Sequence, residues 1–260
     1  MDKIVDCVSI ANEILEECRR KVEKYDSQGK PRRRLLIVSN DDEASKVYVR
    51  NKVKACEKVG IMCCVTPSPM SQDLYKYNGV IIQLPTNKPK LINAISVFQD
   101  VDGFHDLNIG LLNNGKNPAH LPCTPKGIMT MLEHEKYDLD GKHVVIVGRS
   151  NIVGRPLARM MERANATVTL CHSHTADLER VCSMADVLVV AIGKPRYIKA
   201  KHVKEGAFVI DVGINRVDGK LCGDVDFEDV YEKCGRITTV PRGVGLLTVS
   251  SLMQNMMNTY

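Results

Sequence analysis

Residues 144–161 read VVIVGRSNIVGRPLARMM, and the reading of this stretch decides the fold. Four apolar residues run into Gly148; a short polar loop, Gly154, Pro156 and a helical pattern follow. This is a strand turning into the N-terminus of a helix. Unpaired backbone N–H groups and the positive end of the helix dipole favour an anion there. Gly148 permits the tight turn, Gly154 a close helix–strand approach, and Pro156 suits the first helical turn. Arg155-Pro156 follows Gly154 where a Walker loop has Lys-Ser/Thr, so a Walker loop is excluded. The loop is one residue longer than G-x-G-x-x-G and carries Arg149 and Ser150 where that fingerprint keeps a bare glycine. The extra length lets Arg149 lie over a phosphate or ribose. An ordinary tight strand–helix turn with a surface arginine is the alternative.

The next strand, in VTLCHSHT, ends without the Asp or Glu that grips a ribose 2′-hydroxyl in NAD enzymes. Ser173 and His174 stand there instead. Loss of the acid removes repulsion against a 2′-phosphate, and a hydroxyl with an arginine supplies donors for one. The loop therefore favours NADP over NAD.

Outward from this point the texture is βαβ. Strands at 143–147, 166–170, 186–191 and 207–212 alternate with helices at 155–163 and 175–183, which predicts a parallel sheet covered on both faces. Upstream, apolar spacing predicts a helix over 3–25, a strand in RRLLIVSN, a helix in EASKVYVRNKVKACEKV closed by Gly60, and strands in IMCCV and NGVIIQLP. Asn78-Gly79 reads as a turn and Pro85 as a stop. A short helix is expected at 89–98, irregular chain over 106–123, and a helix from 124 to about 135 with Thr124 as N-cap and Pro125 at N1. A helix over 248–260 ends the chain. The fold class is α/β in two lobes. An N-terminal α/β domain spans 1–123 and is completed by the helix 248–260; a Rossmann domain spans 124–247, and two helices join the lobes.

Composition narrows the function. A net charge of +5 suits anionic small molecules better than nucleic acid, and the basic cluster Lys30, Arg32, Arg33, Arg34 reads as a solvated strand entry. None of the ten cysteines forms a C-x-x-C pair, and neither cysteines nor histidines show metal spacing. Cysteines inside apolar runs behave as small core residues in a reducing compartment. With no leader-like segment and no membrane-length apolar run, a cytoplasmic protein is expected, with no partner among nucleic acids or membranes.

Three constellations precede the glycine loop. Ser45, Tyr48 and Lys52 form S-x-x-Y-x-x-x-K; Tyr48 and Lys52 share a helix face, so a ring can stack a planar substrate beside an amine. A solvated surface pair is the alternative. Gln83 ends the apolar strand of IIQLP, at the edge where parallel sheets bind ligands, or is a plain strand-end polar residue. Asp100 and Asp102 precede a glycine in DVDGF, where most aspartates cap turns.

In this order, the motifs resemble the bifunctional methylenetetrahydrofolate dehydrogenase/methenyltetrahydrofolate cyclohydrolase family. SKVYVRNKVKACEKVGI, VIIQLP, DVDGFHDLNIG, LPCTPKGI, VVIVGRSNIVGRP, FVIDVGIN, LCGDVDF and VPRGVG carry the resemblance along nearly the whole chain. It implies a catalytic lobe facing a Rossmann lobe across a cleft, tetrahydrofolate as substrate, NADP as cofactor, a place in one-carbon metabolism and purine biosynthesis, and a homodimer. Methylene-tetrahydrofolate gives a hydride to NADP, and water opens the resulting methenyl cation to formyl-tetrahydrofolate. Carried over residue by residue, Lys52 is the main catalytic group, Gln83 its tuning partner, Tyr48 the wall under the aminobenzoyl ring and Asp102 the carboxylate on the pterin. Substrate contacts are further implied for Leu84, Pro241, Gly243 and Gly245. Gly148, Arg149, Ser150 and Ser173 are implied on the cofactor's phosphates and ribose, and Ile214 beside the nicotinamide. A lysine acting as a base near neutral pH must be partly neutral, and burial beside an apolar strand favours that. A dehydrogenase without the hydrolase step and a non-catalytic NADP-binding relative are the alternatives; an intact Tyr-Lys-Gln-Asp set argues against both.

Two departures stand out. The C-terminal loop reads PRGVGLLT where the family reads PGGVGPMT, so Arg242 and Leu246 replace a glycine and a proline. The chain between Val65 and Asn78 is also shorter than the family pattern, barely enough for a parallel crossover.

Overall fold

The structure, a computed structural model, describes residues 3–39, 43–69 and 71–259. The chain folds as two compact units: Met1–Ile10 with Thr124–Thr248, and Ala11–Cys123 with Val249–Tyr260. Residues 3–10 thus pack with the later part of the chain. Residues 3–5 explain this. They are not helical as the apolar spacing suggested, because Val5 N donates to Ile237 O and Ile237 N to Lys3 O, both at 2.9 Å.

The elements run α1 (Cys7–Asp26), β1 (Arg34–Val38), α2 (Glu43–Val59), β2 (Met62–Thr66), β3 (Gly79–Ile82), α3 (Asp106–Asn113), α4 (Cys123–His134), β4 (His143–Val147), α5 (Gly154–Arg163), β5 (Thr167–Cys171), α6 (Leu178–Cys182), β6 (Val187–Val190), β7 (Phe208–Asp211), β8 (Asn215–Val217), β9 (Lys220–Cys222), α7 (Phe227–Tyr231), β10 (Arg236–Ile237) and α8 (Val244–Met257).

One unit holds a three-stranded parallel sheet in the order β2-β1-β3. Both faces of β1 and β3 are buried, since consecutive Leu35–Val38 and Val80–Ile82 are all core. Edge strand β2 is half open, with Met62 and Val65 exposed. Residues 67–78 suffice to carry the chain from β2 across β1 to β3, through a 3-10 turn at Ser71–Lys76. Gly79 is not a turn residue: it opens β3, and a Cβ there would meet Met256 Sδ at 2.3 Å. The basic cluster braces the fold. Arg33 donates to Met256 O at 3.0 Å and Thr259 O at 2.7 Å, closing the end of α8, while Lys30 and Arg33 lie over the Tyr25 ring and Arg34 over Tyr77.

The other unit holds a five-stranded parallel sheet in the order β10-β7-β6-β4-β5 and the hairpin β8–β9. Valines of β4, β6 and β7 and Ile237 of β10 pack one core with Cys171, Cys182 and Cys234. All ten cysteines are free, and burial pushes the thiols of Cys7 and Cys182 up to about 12, so these are inert core residues. Helix α4 begins at Cys123, because the Thr124 hydroxyl pairs with Thr248 Oγ1 at 2.9 Å instead of capping. The last helix starts at Val244, earlier than the expected 248.

Candidate active site

Helix α2 positions Lys52 and strand β3 positions Gln83. Lys52 lies on the helix face that packs inward and is 7% exposed, and Gln83, at 8%, sits one residue past β3. Lys52 Nζ donates to Gln83 Oε1 at 3.1 Å and lies 3.4 Å from Asp102 Oδ2. Gln83 is fixed in turn: its N donates to Val38 O at 2.8 Å and its Nε2 to Leu84 O at 3.0 Å. Its amide oxygen therefore faces the amine. Tyr48, one turn before Lys52, is 43% exposed, and partial burial raises its phenol's affinity for its proton. Ser45, the first residue of the motif, is buried at 2%. Leu84 is half-buried and leads by a cis peptide into Pro85.

The two aspartates of DVDGF divide their work. Asp100, 2% exposed, accepts from Gly103 N and Phe104 N at 3.1 Å, His105 N at 2.8 Å and Asn108 Nδ2 at 2.8 Å. Burial holds its carboxyl above the usual carboxylate range against these bonds. It is the turn cap, and it frees Asp102 to face Lys52. Gly103 at φ +78 completes the turn, since a Cβ would meet Leu121 C at 2.5 Å. Behind the loop, Asn255 of α8 donates to Val101 O at 2.9 Å and Leu121 O at 3.0 Å. Residues 106–123 are not wholly irregular: 106–113 form α3, capped by His105 Nδ1, which accepts from Leu107 N at 3.0 Å.

The nucleotide loop belongs to the five-stranded unit. Gly148 has φ +127, and a Cβ there would meet Ala191 O at 2.2 Å; a Cβ on Gly154 would meet Gly148 O at 1.8 Å. Helix α5 starts after Val153, which makes no side-chain cap. Pro156 has no N–H and Arg155 N already donates to Ser150 O at 3.1 Å, so the backbone leaves Gly154 N to an anion, and the two glycines form a cradle that any side chain would fill. Ser150 Oγ accepts from Val153 N at 3.2 Å, shaping the loop. Arg149, Ser150, Ser173 and His174 are exposed. After β5 the chain turns at 172–175, where His172 N donates to Thr175 Oγ1 at 2.8 Å. Partial desolvation, then the Arg149 cation, then His174 depress the affinity of His172 for a proton, so Arg149 acts on the turn that bears Ser173. This donor set, with no carboxylate at the end of β5, fits a nucleotide carrying a 2′-phosphate.

Near the end of the same unit, Pro241 and Arg242 are exposed, and Val240–Pro241 is cis. Arg242 adopts φ +72, the left-handed region that the family's glycine would occupy without strain. The nearby charge of Arg242 is the weakest of the influences that lower the Asp6 carboxyl below its usual range; bonds from Ser9 dominate. Gly243 admits no side chain, as a Cβ would meet Thr239 O at 2.0 Å, and Gly245 abuts Ile214 Cδ1 at 3.4 Å from that position. Ile214 is 41% exposed.

One α/β unit carries a buried lysine centre and the other a dinucleotide-type glycine cradle. Residues 5–102 match the catalytic domain of tetrahydrofolate dehydrogenase/cyclohydrolase, and residues 122–260 its NAD(P)-binding domain. The chain belongs to that family. It is 46% identical to the bifunctional protein FolD of Agathobacter rectalis, over 98% of each chain, and 44% identical to that of Aquifex aeolicus, over 100% of this chain and 96% of the other. Among solved structures it is similar to the bifunctional FolD methylenetetrahydrofolate dehydrogenase/cyclohydrolase of Campylobacter jejuni, with a TM-score of 0.91, 40% identity and coverage of 98% and 96%. The Trypanosoma brucei methylenetetrahydrofolate dehydrogenase-cyclohydrolase, complexed with NADP and an inhibitor, gives 0.89 at 30% identity over 98% and 96%. Among the described residues, no helix is long and apolar enough to cross a membrane.

Proposed function

We propose that Lys52 is the acid–base centre of a bifunctional enzyme that oxidises 5,10-methylenetetrahydrofolate with NADP and hydrolyses the methenyl product to 10-formyltetrahydrofolate. The observation that carries this is the buried Lys52–Gln83–Asp102 set, with the amine 3.1 Å from the amide oxygen and 3.4 Å from the carboxylate. NADP, when bound, supplies the hydride acceptor. Arg149, Ser150 and Ser173 hold its phosphates and ribose, Gly148 and Gly154 leave room for it, and Ile214 lines its nicotinamide.

In hydrolysis, water adds to the methenyl carbon and gives up a proton to the Lys52 amine. The bond from that carbon to N5 then breaks as the added oxygen loses its remaining proton and becomes the carbonyl, while N5 takes the proton held by Lys52; the formyl group stays on N10 and one proton is released overall. Gln83 Oε1 orients Nζ for both transfers. Asp102 offers two acceptor oxygens to the pterin's amino edge, and Tyr48 supplies the ring face beneath the aminobenzoyl group. Leu84, Pro241, Gly243 and Gly245 complete the substrate contacts.

Two finer statements belong to this reading. The protein is a homodimer, supported by the partly exposed edge strand β5 and tested by sedimentation. It works in the cytoplasm, supported by its free thiols. The reaction is tested by absorbance with methylenetetrahydrofolate and NADP. Reduced nicotinamide is expected to accumulate and the methenyl species to decay; no signal from folded protein contradicts the proposal.

A further inference from the structure

The five-stranded unit carries two buried carboxylates that the reactions above leave unused. Asp211 ends β7 and is 4% exposed; Asp224, just after β9, is 0% exposed. Asp211 Oδ1 accepts from Gly213 N at 3.2 Å and Asp224 N at 2.9 Å, and its Oδ2 from Val225 N at 2.9 Å. Asp224 Oδ2 accepts from Ile192 N at 2.7 Å and Gly193 N at 2.9 Å, and its Oδ1 from Asn215 Nδ2 at 2.8 Å. Two side chains thereby tie together the turn after β6, the turn after β7 and the exit from the β8–β9 hairpin. The ties are close: a Cβ on Gly213 would meet Asp224 Cγ at 2.1 Å, and one on Gly223 would meet Asp211 Oδ2 at 1.7 Å.

Ile214 lies between two tied points. The N–H of Gly213 is bonded to Asp211 and the side chain of Asn215 to Asp224, yet Ile214 itself is 41% exposed. Burying carboxylates is costly. Spending two of them on a turn that presents an exposed isoleucine stabilises no core at that residue; it fixes the direction of a surface.

We infer that Asp211 and Asp224 are positioning residues for the cofactor's reacting end: they lock the 192–193 and 213–215 turns so that Ile214 forms a preset wall for the nicotinamide. The inference rests on the proposed dehydrogenase function and adds residues that touch neither substrate nor cofactor.

A charge swap tests it. Asn215→Asp sets a second carboxylate against Asp224 Oδ1, and kcat/KM for NADP-dependent oxidation is expected to fall about tenfold or more. Hydrolysis of added methenyltetrahydrofolate without nucleotide is expected to change less than about twofold, a split that a general folding defect does not give. Asn215→Asp combined with Asp224→Asn exchanges donor and acceptor, and oxidation is expected to return to within about threefold of wild type. Unchanged oxidation in Asn215→Asp, or parallel loss of both reactions in single and double variants, overturns the inference. Wild-type protein is measured first: absence of oxidation there removes the functional reading itself, and the inference with it.

Discussion

Lys52, Gln83 and Asp102 are each less than a tenth exposed, and Lys52 is already bonded to the other two, whereas Arg149, Ser150, Ser173 and His174 stand on exposed turns around a glycine cradle. The first region is set before substrate arrives. Its amine has an amide oxygen and a carboxylate within 3.4 Å, and Asp100 holds the loop that supplies the latter. In the second, Ser150 Oγ and Thr175 Oγ1 hold the turns, while the Arg149 and Ser173 side chains stand exposed. Reaction chemistry needs geometry fixed in advance, while a cofactor that enters and leaves needs donors with open faces. Damage to the two regions should therefore separate cleanly.

The largest effect on the cradle is expected from Gly148→Ala. A Cβ 2.2 Å from a backbone oxygen cannot be absorbed at φ +127, so a cost of about 2 kcal/mol or more is expected, read as a fall in Tm of about 5 °C or more with loss of NADP affinity. An unchanged melting curve would show that the cradle is not close-packed. Next, Gln83→Leu removes the acceptor that orients Nζ, and hydrolysis should slow at least about tenfold with NADP affinity intact. If NADP affinity falls as well, the two regions are not separable. Arg149→Ala should do the reverse, weakening NADP by about tenfold and NAD by less than about twofold, because a charge-assisted bond to the 2′-phosphate is lost. Equal losses would refute the phosphate role.

The smallest effect is a slope. Burial, abetted by Asp224, pushes the Asp211 carboxyl up to about 7 from the ordinary 3.8. The native state then binds more protons than the unfolded chain between those values, so stability falls as pH rises from about 4 to about 7 and levels above. Asp211→Asn should flatten that part of the urea-stability profile; a slope unchanged in the variant assigns the titration elsewhere.

How much of this was legible in the chain follows from how local each cause is. The glycine loop and the missing acid after β5 were readable because strand, turn and helix start lie within a few residues. The lysine centre was not readable from spacing alone. Lys52, Gln83 and Asp102 meet only after β1 and β3 pair, so their types became meaningful through the family resemblance. The helix at 106–113 was hidden because its cap is a histidine and Gly110 interrupts its apolar pattern. Residues 3–5 looked helical until pairing with β10 claimed them. Thr124 looked like a cap, but its hydroxyl is taken by Thr248 from the far end of the chain. Asn255, which braces the Asp102 loop from behind, carried no local signal.

The positive φ of Arg242 sharpens the comparison from another side. Here the chain keeps a non-glycine where glycine would be unstrained, at a cost of about 1 kcal/mol. Nothing in the structure explains what the arginine gives in return.

The measurement that bears most directly on the account is the decay of methenyltetrahydrofolate absorbance catalysed by Lys52→Met, with NADP affinity determined on the same sample. Hydrolysis slower by about a hundredfold or more, beside wild-type affinity for NADP, is the predicted result. Hydrolysis at the wild-type rate would contradict it.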